Sequence, residues 1–123
     1  MSQRKLLIVD DDADLRLGLS IRLRASNYAV VFAADGTGAV AMAQRERPDL
    51  ILLDLGLPAG DGFHVLERLQ AIPRLAVIPV VVITARDAEE ARGRALGLGA
   101  RAFLQKPLDN AALLTTLEEI LGK

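Results

Sequence analysis

Apolar residues fall into five short runs along the chain: KLLIV at 5–9, YAVVF at 28–32, LILL at 50–53, VVVI at 80–83 and AFLQ at 102–105. Most are continuous rather than alternating, as in strands covered on both faces within a parallel sheet. Between them the period changes. Leu15, Leu19 and Leu23 lie four apart, and Val40 with Ala43 continues that spacing in the next segment. Val65, Leu66 and Leu69, then Ala91, Ala95 and Leu98, then Leu113, Leu117 and Ile120 complete the helical stripes. Strand and helix thus alternate five times. Pro48 forces its predecessor out of helical space before the third strand, and GLPAGDG at 56–62 reads as a loop. Asp109 or Asn110 suits the N-cap of the last helix. The pattern predicts an open α/β sheet with helices on both faces and right-handed crossovers.

Composition narrows this reading. A length of 123 residues predicts a single domain, 1–123, with one core, and 51% hydrophobic against 3% aromatic residues makes that core aliphatic. With 15 basic and 16 acidic residues, the formal charge of -1 gives no electrostatic case for nucleic-acid or membrane binding. The absence of cysteine excludes a disulfide scaffold, a thiolate metal site and a cysteine nucleophile, and it fits a cytoplasmic location. No apolar run approaches the roughly 18 residues of a membrane span, and RKLLIV followed by acid is no signal peptide.

The chemistry gathers where strands end. The first strand runs into Asp10, Asp11 and Asp12; the third ends in Asp54, the fourth in Thr84 and the fifth in Lys106 followed by Pro107. The second ends in the bland AADG. In a parallel sheet these ends share one edge, where open α/β folds bind their ligands. For Asp10 or Asp11 to meet Asp54, the first and third strands must be neighbours, and Thr84 and Lys106 join them only if the fourth and fifth continue outward. The second strand then lies outside the first, which gives the order 2-1-3-4-5. Clustered carboxylates repel one another, more so where water is scarce. Three carboxylates and a loop carbonyl form an all-oxygen set suited to Mg2+, which keeps several waters and bridges to phosphate. A lysine and a hydroxyl opposite would face a second anion, most simply a phosphoryl group, and a carboxylate can itself take it up.

LLIVDDDADLRLGLSIRL, PDLILLDLGLPAGDGFHVLERL, PVVVITA and AFLQKPL closely resemble receiver domains of two-component response regulators, in order and over essentially the whole chain. The resemblance implies a flavodoxin-like (βα)5 three-layer sandwich. It makes Asp54 the phosphoacceptor, receiving a phosphoryl group from a sensor histidine kinase or histidine phosphotransfer protein. Asp11 would be a direct Mg2+ ligand, Asp10 would hold the ion through water, and Gly56 would supply its backbone carbonyl. Lys106 would pair with the phosphoryl oxygens and Thr84 would hydrogen-bond one of them. Phe103 occupies the position of the aromatic that turns inward when the threonine moves, and Pro107 follows the lysine, in this family usually through a cis bond. The implied protein is a regulatory phosphoacceptor that assists its own phosphorylation and dephosphorylation. Its output would pass through the fourth helix, fifth strand and fifth helix to an unidentified output domain or protein, or to a phosphorylation-dependent homodimer.

Two positions depart from the common receiver pattern. Gly56, two residues after Asp54, has no side chain to cover the site, and Arg86, two after Thr84, is long and cationic. Both positions influence how fast water attacks the acyl phosphate in the family. Gly56 would leave the site open and Arg86 would reach back over it. The fourth helix carries an alanine-rich stripe and an internal glycine, Gly93, which costs about 1 kcal/mol relative to alanine. A weak helix beside Thr84 is suited to move; for Gly93 that reading and a plain structural one stand level. Gly97 or Gly99 reads as a helix cap.

Other residues carry plainer assignments. Asp12 reads as an N-cap, Asp61 as loop chemistry, His64 as a surface or partly packed side chain, and Tyr28 and Met42 as core or strand positions. Arg16, Arg22 and Arg24 read as the solvated face of the first helix, although receivers of this kind dock kinases there, which puts Leu15 and its neighbours in play. The enzyme rival is a phosphohydrolase of the haloacid dehalogenase type, with Asp10 as nucleophile and Asp12 as acid, but it leaves Asp54 unexplained. A flavin carrier of the same sheet order would want a phosphate loop where three acids stand. A receiver that works without phosphorylation would not need the complete set of Asp10, Asp11, Asp54, Thr84 and Lys106.

Overall fold

The protein is described by a computed structural model covering residues 3–57, 62–85 and 89–122. The five apolar runs form strands β1 (Lys5–Val9), β2 (Ala29–Ala33), β3 (Leu50–Asp54), β4 (Val80–Thr84) and β5 (Ala102–Gln105). They make one parallel sheet in the order β2-β1-β3-β4-β5, as the strand-end chemistry required. The helices are α1 (Ala13–Ala25), α2 (Gly36–Glu46), α3 (Gly62–Ala71), α4 (Pro73–Ala76), α5 (Glu89–Gly97) and α6 (Asn110–Leu121). Two details differ from the sequence reading. β2 starts one residue later, leaving Tyr28 as a buried residue just before it. The four-residue α4, with Pro73 at its start, is an addition, so the predicted fourth and fifth helices are α5 and α6.

Strand residues alternate between two aliphatic layers, because successive side chains point to opposite faces. Leu7, Val9, Ile51, Leu53, Val80 and Val82 pack beneath α2, α3 and α5. Leu6, Ile8, Leu50, Leu52, Val81 and Ile83 pack against α1 and α6. The central strands β1, β3 and β4 are therefore apolar on both faces, whereas the edge strand β5 keeps only half-buried or exposed positions. Phe103 joins the layer beneath α5, and Thr84 follows Val80 and Val82 in the same alternation. The threonine and the aromatic thus lie on the face that α5 covers.

Caps set the helix ends. The Asp12 carboxylate accepts hydrogen bonds from the N–H groups of Asp14 and Leu15, and Asp109 accepts from Ala111 N–H. α5 ends in a turn in which Ala100 N–H bonds the Ala95 carbonyl and Gly99 adopts φ +102°, so Gly99 rather than Gly97 is the capping glycine. A Cβ on Gly93 would meet nothing within 4 Å, so no close packing requires a glycine there. Gly93→Ala is expected to stabilise the protein by about 0.5–1 kcal/mol through helix propensity, read as a higher urea midpoint with an unchanged slope.

Candidate phosphoacceptor site

The register places the acids. Val9 pairs with Leu53 across β1 and β3, so Asp10 and Asp54 come next to each other at the C-terminal edge. Asp10 is fully buried and Asp54 is 5% exposed, whereas Asp11, one residue on, faces solvent. Carboxylate oxygens of Asp10, Asp11 and Asp54 all lie within 4.8 Å of one another. An all-oxygen donor set of this spacing fits a hard divalent cation, with the exposed Asp11 on the open side.

Lys106 crosses the end of β4 from the edge strand. Its Nζ donates to Asp10 Oδ2 at 3.0 Å and to Asp54 Oδ2 at 3.4 Å, and its backbone N–H donates to the Thr84 carbonyl at 2.9 Å. The Lys106–Pro107 bond is cis. Thr84 is buried at the end of β4, beside Gln105 of β5. The other carboxylate oxygens are held by backbone: Asp12 N–H donates to Asp10 Oδ1 and Gly56 N–H to Asp54 Oδ1, each at 2.9 Å.

Charge follows from this packing. Burial raises the pKa of Asp10, and the neighbouring Asp54 charge adds to that, outweighing the hydrogen bonds from Asp12 N–H and Lys106. Burial alone would lower the pKa of Lys106, but its contacts with Asp10 and Asp54 dominate and raise it. The lysine is thus a fixed ammonium between two buried acids.

Glycines shape the approach to Asp54. A Cβ on Gly56 would sit 3.5 Å from Asp54 Oδ1, an ordinary contact, so a side chain fits at that position and would cover the carboxylate. Gly62, the first residue of α3, donates its N–H to the Leu55 carbonyl at 3.1 Å. A Cβ there would overlap Leu55 Cα and lie 2.7 Å from the Asp54 carbonyl oxygen. Only glycine lets α3 begin this close to the end of β3. The sequence reading passed over Gly62 as loop punctuation.

The remaining candidates fall as follows. His64 is exposed beside Glu67, at 4.0 Å, and takes no part in the site. Arg86 and Asp61 lie outside the described residues. Arg16 corrects the reading of a solvated face: it is half-buried and its Nη1 donates to the Asp10 carbonyl at 2.6 Å. No helix among the described residues is long and apolar enough to cross a membrane.

A parallel sheet of this order with paired acids, a threonine and a lysine on one edge defines a receiver, and residues 6–118 match the response regulator receiver domain family. The chain belongs to that family. It is 43% identical over 120 residues to the response regulator PleD of Caulobacter vibrioides, covering 98% of this chain but only 26% of PleD. Protein PilH of Pseudomonas aeruginosa is 33% identical over 118 residues, which span 96% of this chain and 98% of PilH. Among solved structures, the chemotaxis protein CheY4 of Vibrio cholerae superposes with a TM-score of 0.91 at 31% identity, covering 97% of this chain and 99% of CheY4. The receiver domain of a Pseudomonas aeruginosa sensor histidine kinase, solved with magnesium in its active-site cleft, gives 0.90 at 30% identity, covering 99% and 100% of the two chains. Residues 6–118 therefore form a phosphoacceptor signalling domain, a regulatory element in its own right, and receivers as a class partner with histidine kinases. Family membership sets aside the phosphohydrolase and flavin-carrier readings.

Proposed function

We propose that Asp54 accepts the phosphoryl group, in a Mg2+-assisted transfer from a phosphohistidine on a sensor kinase or phosphotransfer protein. The observation that carries this is the pairing of Asp54 and Asp10 through one ammonium inside an oxygen cluster less than 5 Å across. An Asp54 carboxylate oxygen forms the new P–O bond as the donor's P–N bond breaks, and the imidazole leaves with its electron pair. Lys106 offsets the charge gathering on the phosphoryl oxygens, and Thr84 donates its hydroxyl to one of them. Asp10, Asp11, Asp54 and the Gly56 carbonyl would hold the metal, which when bound neutralises the acids and the incoming phosphate. The cytoplasm, where such donors and Mg2+ are found, is the fitting location.

Switching then follows from the shared face of Thr84 and Phe103. A threonine drawn toward the phosphate vacates space beneath α5, and the half-buried Phe103 is placed to fill it. Labelled phosphate from a small acyl-phosphate donor should enter wild type only with Mg2+ and should be absent from Asp54→Asn. Label retained by Asp54→Asn would refute the assignment.

The phosphate lifetime belongs to the same proposal. Gly56→Asn adds a side chain over the carboxylate without backbone strain, so hydrolysis of the acyl phosphate should change several-fold while the fold stays intact. An unchanged decay rate after donor removal would show that this position does not control the access of water. Arg86, at the other position named from the sequence, is proposed to cover the site, so decay should be faster in Arg86→Ala, and an unchanged or slower decay would contradict that cover.

A further inference from the structure

We infer that Arg16 is a positioning residue for the metal-binding acids: its guanidinium locks the Asp10–Asp11 peptide so that the Asp11 carboxylate faces the cluster. The inference rests on the Mg2+-assisted receiver reading and extends it to a residue outside the acid cluster.

Asp10 and Asp11 are held in different ways. The Asp10 side chain is fixed at both oxygens, by Asp12 N–H and by Lys106. Asp11 is exposed, and among the described residues it forms no hydrogen bond or ion pair of its own. The direction in which its Cα–Cβ bond leaves the chain, and so the side from which its carboxylate can reach the cluster, is therefore set by the backbone. The carbonyl of Asp10 belongs to the same planar unit as the Asp11 nitrogen, and that carbonyl accepts the 2.6 Å bond from Arg16 Nη1. The bond is charge-assisted and short. Arg16 is itself tied down, because its backbone N–H donates to the Asp12 carbonyl at 3.0 Å in the first turn of α1. Guanidinium and helix N-terminus together close a ring around the turn that carries all three acids.

A second effect of the same cation has the opposite sign. A positive charge beside the cluster repels an incoming divalent ion, so if charge dominated, removing Arg16 would tighten metal binding. Orientation is the larger effect expected here. Groups that orient metal ligands typically cost 10–100-fold in affinity when removed, whereas the repulsion acts at the solvent edge of the protein, where the high effective dielectric weakens it.

Calorimetric titration of the full chain with Mg2+ separates the two. Arg16→Met keeps the apolar stem and loses the donor; its Mg2+ dissociation constant should rise about tenfold with stoichiometry unchanged. The loss should persist at high salt, since geometry is not screened. Arg16→Lys, which retains a charged donor, should recover part of the affinity and also serves if Arg16→Met folds poorly. Urea unfolding of the metal-free proteins gives the folded fraction, so that mere destabilisation is not read as weaker binding. Unchanged or tighter Mg2+ binding in Arg16→Met, with wild type binding normally, would overturn the positioning role. Failure of wild type itself to bind Mg2+ would overturn the metal reading and this inference with it.

Discussion

Replacing Gly62 by alanine is expected to destabilise the protein by about 2–3 kcal/mol and to slow phosphorylation of Asp54 by roughly 100-fold. The added Cβ overlaps Leu55 Cα and presses on the Asp54 carbonyl, both of them backbone, so no flexible side-chain end can swing aside. Overpacking of this kind costs about 1–3 kcal/mol. The shift falls on Asp54, the residue proposed to carry the reacting carboxylate, and a misplacement of about 1 Å can cost about 100-fold in rate. Urea denaturation and the initial rate of label uptake measure the two effects. Gly93→Ala, where the new methyl meets nothing within 4 Å, is the matched control. A Gly62→Ala protein with wild-type stability and rate would show that the start of α3 adjusts freely.

Lys106→Met is the second large effect. It removes the ammonium bonded to both buried acids, and breaking a buried pair from one side costs about 3–5 kcal/mol. The dependence on pH identifies the cause. The pKa of Asp10 is already above its ordinary value of 3.8, so the folded chain holds that proton more tightly than the unfolded chain does. Stability therefore falls as pH rises from 3.8 through the raised value, and Lys106 limits the fall. The contribution of Lys106, whose pKa is raised from 10.5 by these acids, is fully present from the pH at which Asp10 is ionised up to 10.5, and is lost as pH rises through the lysine's folded value. At neutral pH the deficit of Lys106→Met should be largest, and it should shrink on acidification as Asp10 takes up its proton. Urea unfolding across this range tests it; a deficit independent of pH would assign the loss to packing of the lysine stem instead.

Sheet order was legible because charge forced it. Asp10, Asp54, Thr84 and Lys106 end or directly follow four different strands, and the order β2-β1-β3-β4-β5 brings them to one place. The caps at Asp12 and Asp109 were legible because capping is local chemistry. α4 was not, since four residues carry no periodicity; the proline at its first position was the signal available. Gly62 and Arg16 were missed for a different reason. A glycine in GDG reads as a turn, and one arginine among three on α1 reads as solvated, until tertiary packing sets Leu55 against the first and the Asp10 carbonyl against the second. Residues whose role is to meet something distant in sequence leave little local trace.

The most direct test of the phosphoacceptor assignment is to locate the modification itself. The full chain is incubated with Mg2+ and a small acyl-phosphate donor, its intact mass is recorded, and the modified peptide is mapped. One added phosphoryl group that requires Mg2+ and resides on Asp54 is the expected result. A phosphoryl group on Asp10, or one that forms equally well in Asp54→Asn, would contradict it.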